Sequence, residues 1–400
     1  MPTALVIGAG VAGPAVAMFL VRAGWRAELF EARPAPDAYA GSFLNVATNG
    51  LAVLETLGLR DALVADGHRA GRMVMLSGMG RELGVVPNGP AGELERGGVI
   101  VRRSHLHEVL RAGADAAGIP IAHGARLTGI RETADAVTAS FADGRTARGD
   151  VLIAADGIGS IARTWIDPAA PEPRYSGLVG LGGFALVDGL SSTPETQFMV
   201  FGRRAFFGYL VRDDGTAYWF ANLTKPEPER GSLADVPAET WLTELRQLHA
   251  DDPHPVPAIL DHTIGDVVGY PIHDLTHVPH WHRGRVAALG DAVHATSPSA
   301  GQGASLALED AVTLARALRG ARGHEAAFAE YQRVRQPRAE QIVRYARAIN
   351  RQKRVTKSRL GVALRDAMLP VFLRNAMDDH RNDDLYNHRI DWDEQGAALH

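Results

Sequence analysis

A chain of 400 residues, 46% hydrophobic and 22% charged, is long enough to bury a large core and to form two domains. A net charge of −4 gives no basic field for nucleic acid, and no apolar run approaches the roughly 18 residues of a membrane span. Zero cysteines exclude disulfides and thiol redox catalysis, and a strand starting almost at Met1 leaves no room for a signal peptide, so a cytoplasmic location is expected.

The apolar run at residues 4–7 predicts a strand, and Val16, Phe19 and Leu20 mark the helix that follows. Between them stands Gly8-Ala9-Gly10-Val11-Ala12-Gly13, a dinucleotide-binding fingerprint in its required strand, turn and helix context. Gly8 permits the tight turn, Gly10 lets a pyrophosphate approach the backbone, and Gly13 lets helix and strand pack closely, with Ala12 at the helix start. A second strand at 27–30 ends in Glu31, whose carboxylate can accept from a ribose 2′-hydroxyl and would repel a 2′-phosphate. FAD or NAD is favoured over NADP.

Further along, residues 41–46 (Gly-Ser-Phe-Leu-Asn-Val) precede Leu54 and Leu57-Gly58-Leu59, and strands are expected around 73–86. Arg103 opens Arg103-Ser104-His105-Leu106. A strand at 151–155 leads into Asp156-Gly157-Ile158-Gly159-Ser160-Ile161-Ala162-Arg163, with the spacing D-G-x-x-S-x-x-R. Aromatic segments at 197–201, 205–211 and 216–220, separated by Gly and Asp turns, predict a mostly antiparallel sheet. A strand at 285–289 then delivers Gly290-Asp291, His294, Pro298 and Gly301-Gln302-Gly303, followed by a helix from Ala304 to 318.

The ordered set of fingerprint, DG and GD motifs resembles the single-component FAD-dependent aromatic hydroxylases, the group typified by p-hydroxybenzoate hydroxylase, over most of the first 345 residues. The resemblance implies an α/β fold: a Rossmann-like FAD-binding domain (1–72, 98–178 and 268–345), an inserted mostly antiparallel substrate domain (73–97 and 179–267) and a C-terminal helical extension (346–400). It implies FAD held by Gly8, Gly10, Ala12, Gly13, Glu31, Asn45, Arg103, Asp156, Asp291, Pro298, Gly301, Gly303 and Ala304. Asp291 would meet the ribityl hydroxyls, and the helix after Gly301 would aim its positive end at the flavin pyrimidine edge. Plain readings stand beside these: Asp156 and Asp291 as caps, Pro298 as loop punctuation and His294 as a loop histidine.

The activity implied is a monooxygenase using NADH or NADPH and O2 to hydroxylate an aromatic or polycyclic small molecule through a C4a-hydroperoxyflavin. A reductase or dehydrogenase without oxygen transfer, or a non-catalytic FAD-binding protein, is the alternative. The spacing around Asn45 is similar to that of tetracycline-inactivating monooxygenases, which usually carry an acid there. Urate-hydroxylating relatives carry Asp where this chain has Ser299, which speaks against urate. Among substrate-side candidates, Pro298, His294, Arg204 and Tyr218 lead, with Arg203 and Tyr209 also on the predicted sheet. Their side of the sheet depends on a register the sequence leaves open, and no phenol-activating base is identified. The basic run from Arg344 to Arg359 reads as a solvated helix face.

Overall fold

The computed structural model describes residues 1–35, 43–353, 359–374, 376–378, 380 and 383–394. Gly41 and Ser42 of the segment before Asn45, and Arg354 and Lys357 of the basic run, lie outside them.

The strand Thr3–Ile7 sits inside a six-stranded sheet, parallel to Arg26–Phe30 on one side and to Val151–Ala154 on the other. Val286–Ala288 continues it in parallel next to Val151–Ala154, and Ile121–Ala122 extends the opposite side. Thr3–Ile7, Val151–Ala154 and Val286–Ala288 are near-continuous apolar runs because the sheet is covered on both faces there, the usual situation of a parallel sheet, whereas Arg26–Phe30 alternates. Helices Ala12–Arg22 and Gly303–Gly320 and a three-stranded antiparallel sheet (Leu127–Glu132, Val137–Phe141, Thr146–Gly149) share its core. The topology has one consequence for the motifs. Parallel neighbours end at the same edge, so Gly8, Asp156 and Gly290-Asp291, far apart in sequence, emerge side by side beyond the carboxyl ends of adjacent strands.

A second, ten-stranded sheet is mostly antiparallel. Its spine runs Thr263–Ile264, Arg174–Leu186, Thr216–Thr224, Phe206–Val211, Glu195–Phe201, His68–Ser77, Gly98–Arg102 and Phe43–Val46, with Tyr270–Asp274 and Glu82–Pro87 attached. It takes in Phe43–Val46 and Gly98–Arg102 from stretches that the sequence assigned to the cofactor-binding portion.

The register separates its two faces. Phe207, Tyr209, Val211, Ala217, Trp219 and Ala221 point into a core shared with helices Ala238–His249 and Val256–Asp261. By the period of two, Phe206, Tyr218 and Phe220 point the other way, with Phe184, Met199 and Met73 on neighbouring strands. The helix His324–Lys353 then crosses residue 346 without a break. Among the described residues no helix is long and apolar enough to cross a membrane.

Candidate cofactor and substrate site

The fingerprint turn is built on close backbone approach. Gly8 has φ +99°, and a Cβ there would stand 2.3 Å from the Ala155 carbonyl oxygen; a Cβ on Gly13 would stand 1.8 Å from the Gly8 oxygen. A Cβ on Gly10 would instead meet only the His107 ring, at an ordinary contact distance of 3.9 Å. The helix Ala12–Arg22 begins with no side-chain cap and no acid in its first turn, so its leading N–H groups are left for a ligand anion. Glu31 braces this loop, accepting from the N–H of Ala9 at 2.8 Å and of Arg33 at 2.9 Å. His107, absent from the sequence reading, stands beside Gly10. Burial, together with the charges of Arg103, Arg33 and Arg111, holds its pKa down to about 4.

At the second motif, Asp156 Oδ2 accepts from the N–H of Ile161 (3.0 Å) and Ala162 (3.3 Å), the capping role weighed for it. Its other oxygen is buried with no hydrogen-bond partner among the described residues, and burial pushes the carboxyl up. Arg163 donates to the Ala292 carbonyl at 2.8 Å, tying this motif to the next.

At the third motif Gly290 adopts φ +63° and donates its N–H to Asp310 Oδ2 at 2.9 Å. Asp291 keeps an exposed side chain at the strand ends, and partial enclosure raises its carboxyl, against the charges of His294 and Arg103. No described residue hydrogen-bonds to its side chain. The turn Pro298–Ala300 leads to Gly301 (φ +61°), whose carbonyl accepts from Asn45 Nδ2 at 3.2 Å. Helix Gly303–Gly320 starts, like the first, with no side-chain cap and no acid in its first turn, and Gly303 and Ala304 are part-exposed.

His294 is turned into the protein interior. Its Nε2 meets Asp310 Oδ2 at 2.5 Å inside a buried charge network. Arg335 bridges Asp310 (2.8 Å) and Glu309 (2.6 Å), while Arg338 and Asn49 also reach Glu309, at 2.8 and 2.7 Å. Against burial, Arg335 and Arg338 hold the Glu309 carboxyl at about 2, His294 and Arg335 hold that of Asp310 at about 2, and Asp310 in turn raises His294. The acidic pair Glu309-Asp310 on the buried side of helix Gly303–Gly320 is the sequence signal for this clamp.

The aromatic face of the large sheet adjoins the Gly301 turn through the strand Phe43–Val46. Asn45 touches Gly301, and Phe43, on the same side, has its ring 5.4 Å from Tyr218 and 6.2 Å from Phe220. Gly208 keeps that face open: a Cβ there would collide with the Phe220 ring at 2.2 Å, so the ring lies across the neighbouring strand. Tyr218 is buried, its hydroxyl accepting from Arg102 (3.0 Å) and Arg212 (3.1 Å). The register places Tyr209 on the opposite face, stacked on Phe198. Arg204 lies at the turn before this strand, donates to the Leu248 carbonyl and pairs with Asp251 at the surface, outside the chamber.

Uncapped helix ends, an uncrowded turn at Gly10, an orphaned oxygen on Asp156 and a partnerless carboxyl on Asp291 together fit a dinucleotide with a pyrophosphate and a polyhydroxyl chain. A family model described as the FAD binding domain matches residues 1–346. Aurachin C monooxygenase/isomerase of Stigmatella aurantiaca is 33% identical over 346 residues, covering 85% of this chain and 87% of the relative. The 6-hydroxynicotinate 3-monooxygenase of Pseudomonas fluorescens is 30% identical over 360 residues, covering 86% and 90%. The structure of Klebsiella pneumoniae HpxO complexed with FAD and uric acid aligns with a TM-score of 0.81 at 27% identity, covering 94% of this chain and 96% of that one. Adjacent strand ends thus converge on a site that fits FAD, and the chain belongs to the FAD-binding-domain family of flavin monooxygenases, with FAD as its cofactor.

Proposed function

We propose that the protein uses NADH or NADPH and O2 to place one oxygen atom on an aromatic or polycyclic small molecule, hydroxylation being the default outcome. The observation that carries this reading is the aromatic face of Phe43, Phe206, Tyr218 and Phe220, joined to the uncapped start of helix Gly303–Gly320 through the hydrogen bond from Asn45 to Gly301. In this reading that face is the wall of the chamber in which a flat substrate meets the cofactor.

In this reading Gly8, Gly10, Ala12 and Gly13 present backbone N–H groups to the pyrophosphate, and Glu31 accepts from the adenosine ribose. Asp291 accepts from the ribityl hydroxyls, with Arg103 nearby as the balancing charge. Asp156 uses one oxygen to hold its own turn and leaves the other for the cofactor side. Gly301, Gly303 and Ala304 turn the helix N-terminus toward the pyrimidine edge, where it stabilises negative charge. Asn45 fixes the Gly301 turn, and Pro298 borders the space over the ring. FAD, when bound, supplies hydride acceptance from the nicotinamide and activation of O2. The phenyl rings exclude water from the chamber, which limits loss of the oxidising equivalent without product.

The test is turnover of the holoenzyme under 18O2 with a panel of phenols and hydroxyquinolines. Substrate-stimulated NAD(P)H oxidation with one 18O in the product supports oxygen transfer. Product formed without O2 uptake or label would assign a dehydrogenase instead.

A further inference from the structure

Of the 42 lysines and arginines in this chain only three are lysines, Lys225, Lys353 and Lys357. One of the three enters the aromatic chamber. Lys353 ends the helix His324–Lys353, and its Nζ lies 4.5 Å from the centre of the Phe206 ring and 5.3 Å from that of Phe220. One turn earlier, Asn350 Oδ1 accepts from Ser299 Oγ at 2.5 Å, so the helix is anchored to the Pro298–Ala300 turn. The helix end that carries Lys353 therefore joins the Pro298–Ala300 turn to the aromatic sheet.

No described carboxylate pairs with this amine. Asp274 is taken by Arg347 of the same helix at 2.9 Å, and Asp366 of the neighbouring helix Arg359–Leu373 by Arg365 at 2.7 Å. The rings offer some compensation to a cation but far less than a counter-ion would. The side chain is half-buried, and its amine lies over the rings of Phe206 and Phe220. Burial alone lowers its pKa, from 10.5 to about 7, with no neighbouring charge contributing. In a chain that otherwise relies on arginine, lysine here has a chemical consequence: arginine stays charged, whereas lysine can lose its proton and regain it.

We propose that Lys353 is the proton acceptor for the substrate's acidic hydroxyl, which makes the substrate class a phenol or an enol of an aromatic ring system. The aromatic O–H bond breaks, an N–H bond forms at Nζ, and the pair left behind is an ammonium and a phenolate beside the rings of Phe206 and Phe220. The proton is retained at the site, and the anion makes the ring more electron-rich toward an electrophilic oxygen donor. The inference rests on the monooxygenase reading for the use of that anion, but its formation is a binding event and is measured without turnover.

The probe is 2-naphthol, which is neutral in solution at about pH 8 and has a distinct naphtholate absorption, mixed with oxidised holoenzyme in the presence of a pH indicator. In the wild type we expect the naphtholate band with no net proton release, because the amine takes the proton. Lys353→Arg should show the band with one proton released per site, since arginine is already charged. Lys353→Met should lose the band and bind at least about tenfold more weakly. A naphtholate band that survives in Lys353→Met, or full proton release by the wild type, would overturn the assignment. Should 2-naphthol leave the flavin spectrum unchanged, competitive acetylation of the empty holoenzyme decides: half-reaction of Lys353 near pH 7 upholds the acceptor, and an ordinary lysine titration overturns it. Naphtholate formation without 18O transfer would remove only the oxygenase reading, and the reverse result would remove only Lys353.

Discussion

Behind the Gly290-Asp291 loop, His294, Asp310, Arg335, Glu309 and Arg338 form a chain of opposite charges, whereas Lys353 lies over two phenyl rings with no described carboxylate paired to it. Burial opposes ionisation in both places, and the outcomes differ. Paired acids in the clamp fall to about 2, so they stay charged, while the solitary amine falls to about 7 and becomes proton-exchangeable. The clamp spends its charges on one another and fixes a backbone; the chamber leaves a charge-bearing group for something that arrives.

Breaking the clamp should give the largest effect. Asp310→Asn leaves Arg335 and His294 short of a buried counter-charge and weakens the acceptor for the Gly290 N–H, so we expect a loss of about 3–5 kcal/mol in urea unfolding, with reduced FAD content. An unchanged midpoint would remove the scaffolding role. The pH dependence has two sides. The depressed pKa values of Glu309 and Asp310 contribute stability that is present above the ordinary carboxylate range and is lost as pH falls toward about 2. The raised pKa of His294 contributes stability that is complete below its ordinary 6.5 and is lost as pH rises through the raised value.

Lys353→Met should move stability the other way. A folded pKa near 7 against an ordinary 10.5 means that the folded state carries a cost, complete below pH 7, which fades as pH rises toward 10.5. Removing the amine should therefore stabilise the protein by about 1–3 kcal/mol near pH 7, and the gain should shrink by about pH 10. Equal urea midpoints for wild type and variant at both pH values would show that the amine bears no such cost.

The cofactor side was legible because its constraints are local. A turn that tolerates only Gly8 and Gly13, and short apolar strands ending in Asp156 and Gly290-Asp291, are written in consecutive residues. The clamp was not, since Asp310 meets Arg335 across 25 positions and His294 across 16, and only the packing of two helices supplies that pairing. The side of the sheet taken by Tyr209 and Tyr218 depends on alternation, where a slip of one residue exchanges the faces. Lys353 belongs to a basic run whose pattern alone reads as a solvated face. Arg347, paired with the buried Asp274, departs from that reading as well.

Two substitutions with small expected effects sharpen the boundary of the chamber. Tyr218→Phe keeps the ring beside Phe43 and Phe184 and removes the acceptor for Arg102 and Arg212. Arg212 retains Asp66, at 2.8 Å, so we expect a cost of about 1 kcal/mol in thermal unfolding and intact 2-naphthol binding. Arg204→Ala should matter least. Its partner Asp251 is largely exposed, and water screens such a pair to about 0–1 kcal/mol, so both the unfolding midpoint and the naphtholate band should stay close to wild type. A tenfold loss of 2-naphthol affinity in Arg204→Ala would mean that the guanidinium leaves Asp251 and reaches around the strand end into the chamber when a ligand is present, and the chamber would then have two cations to offer an anion instead of one.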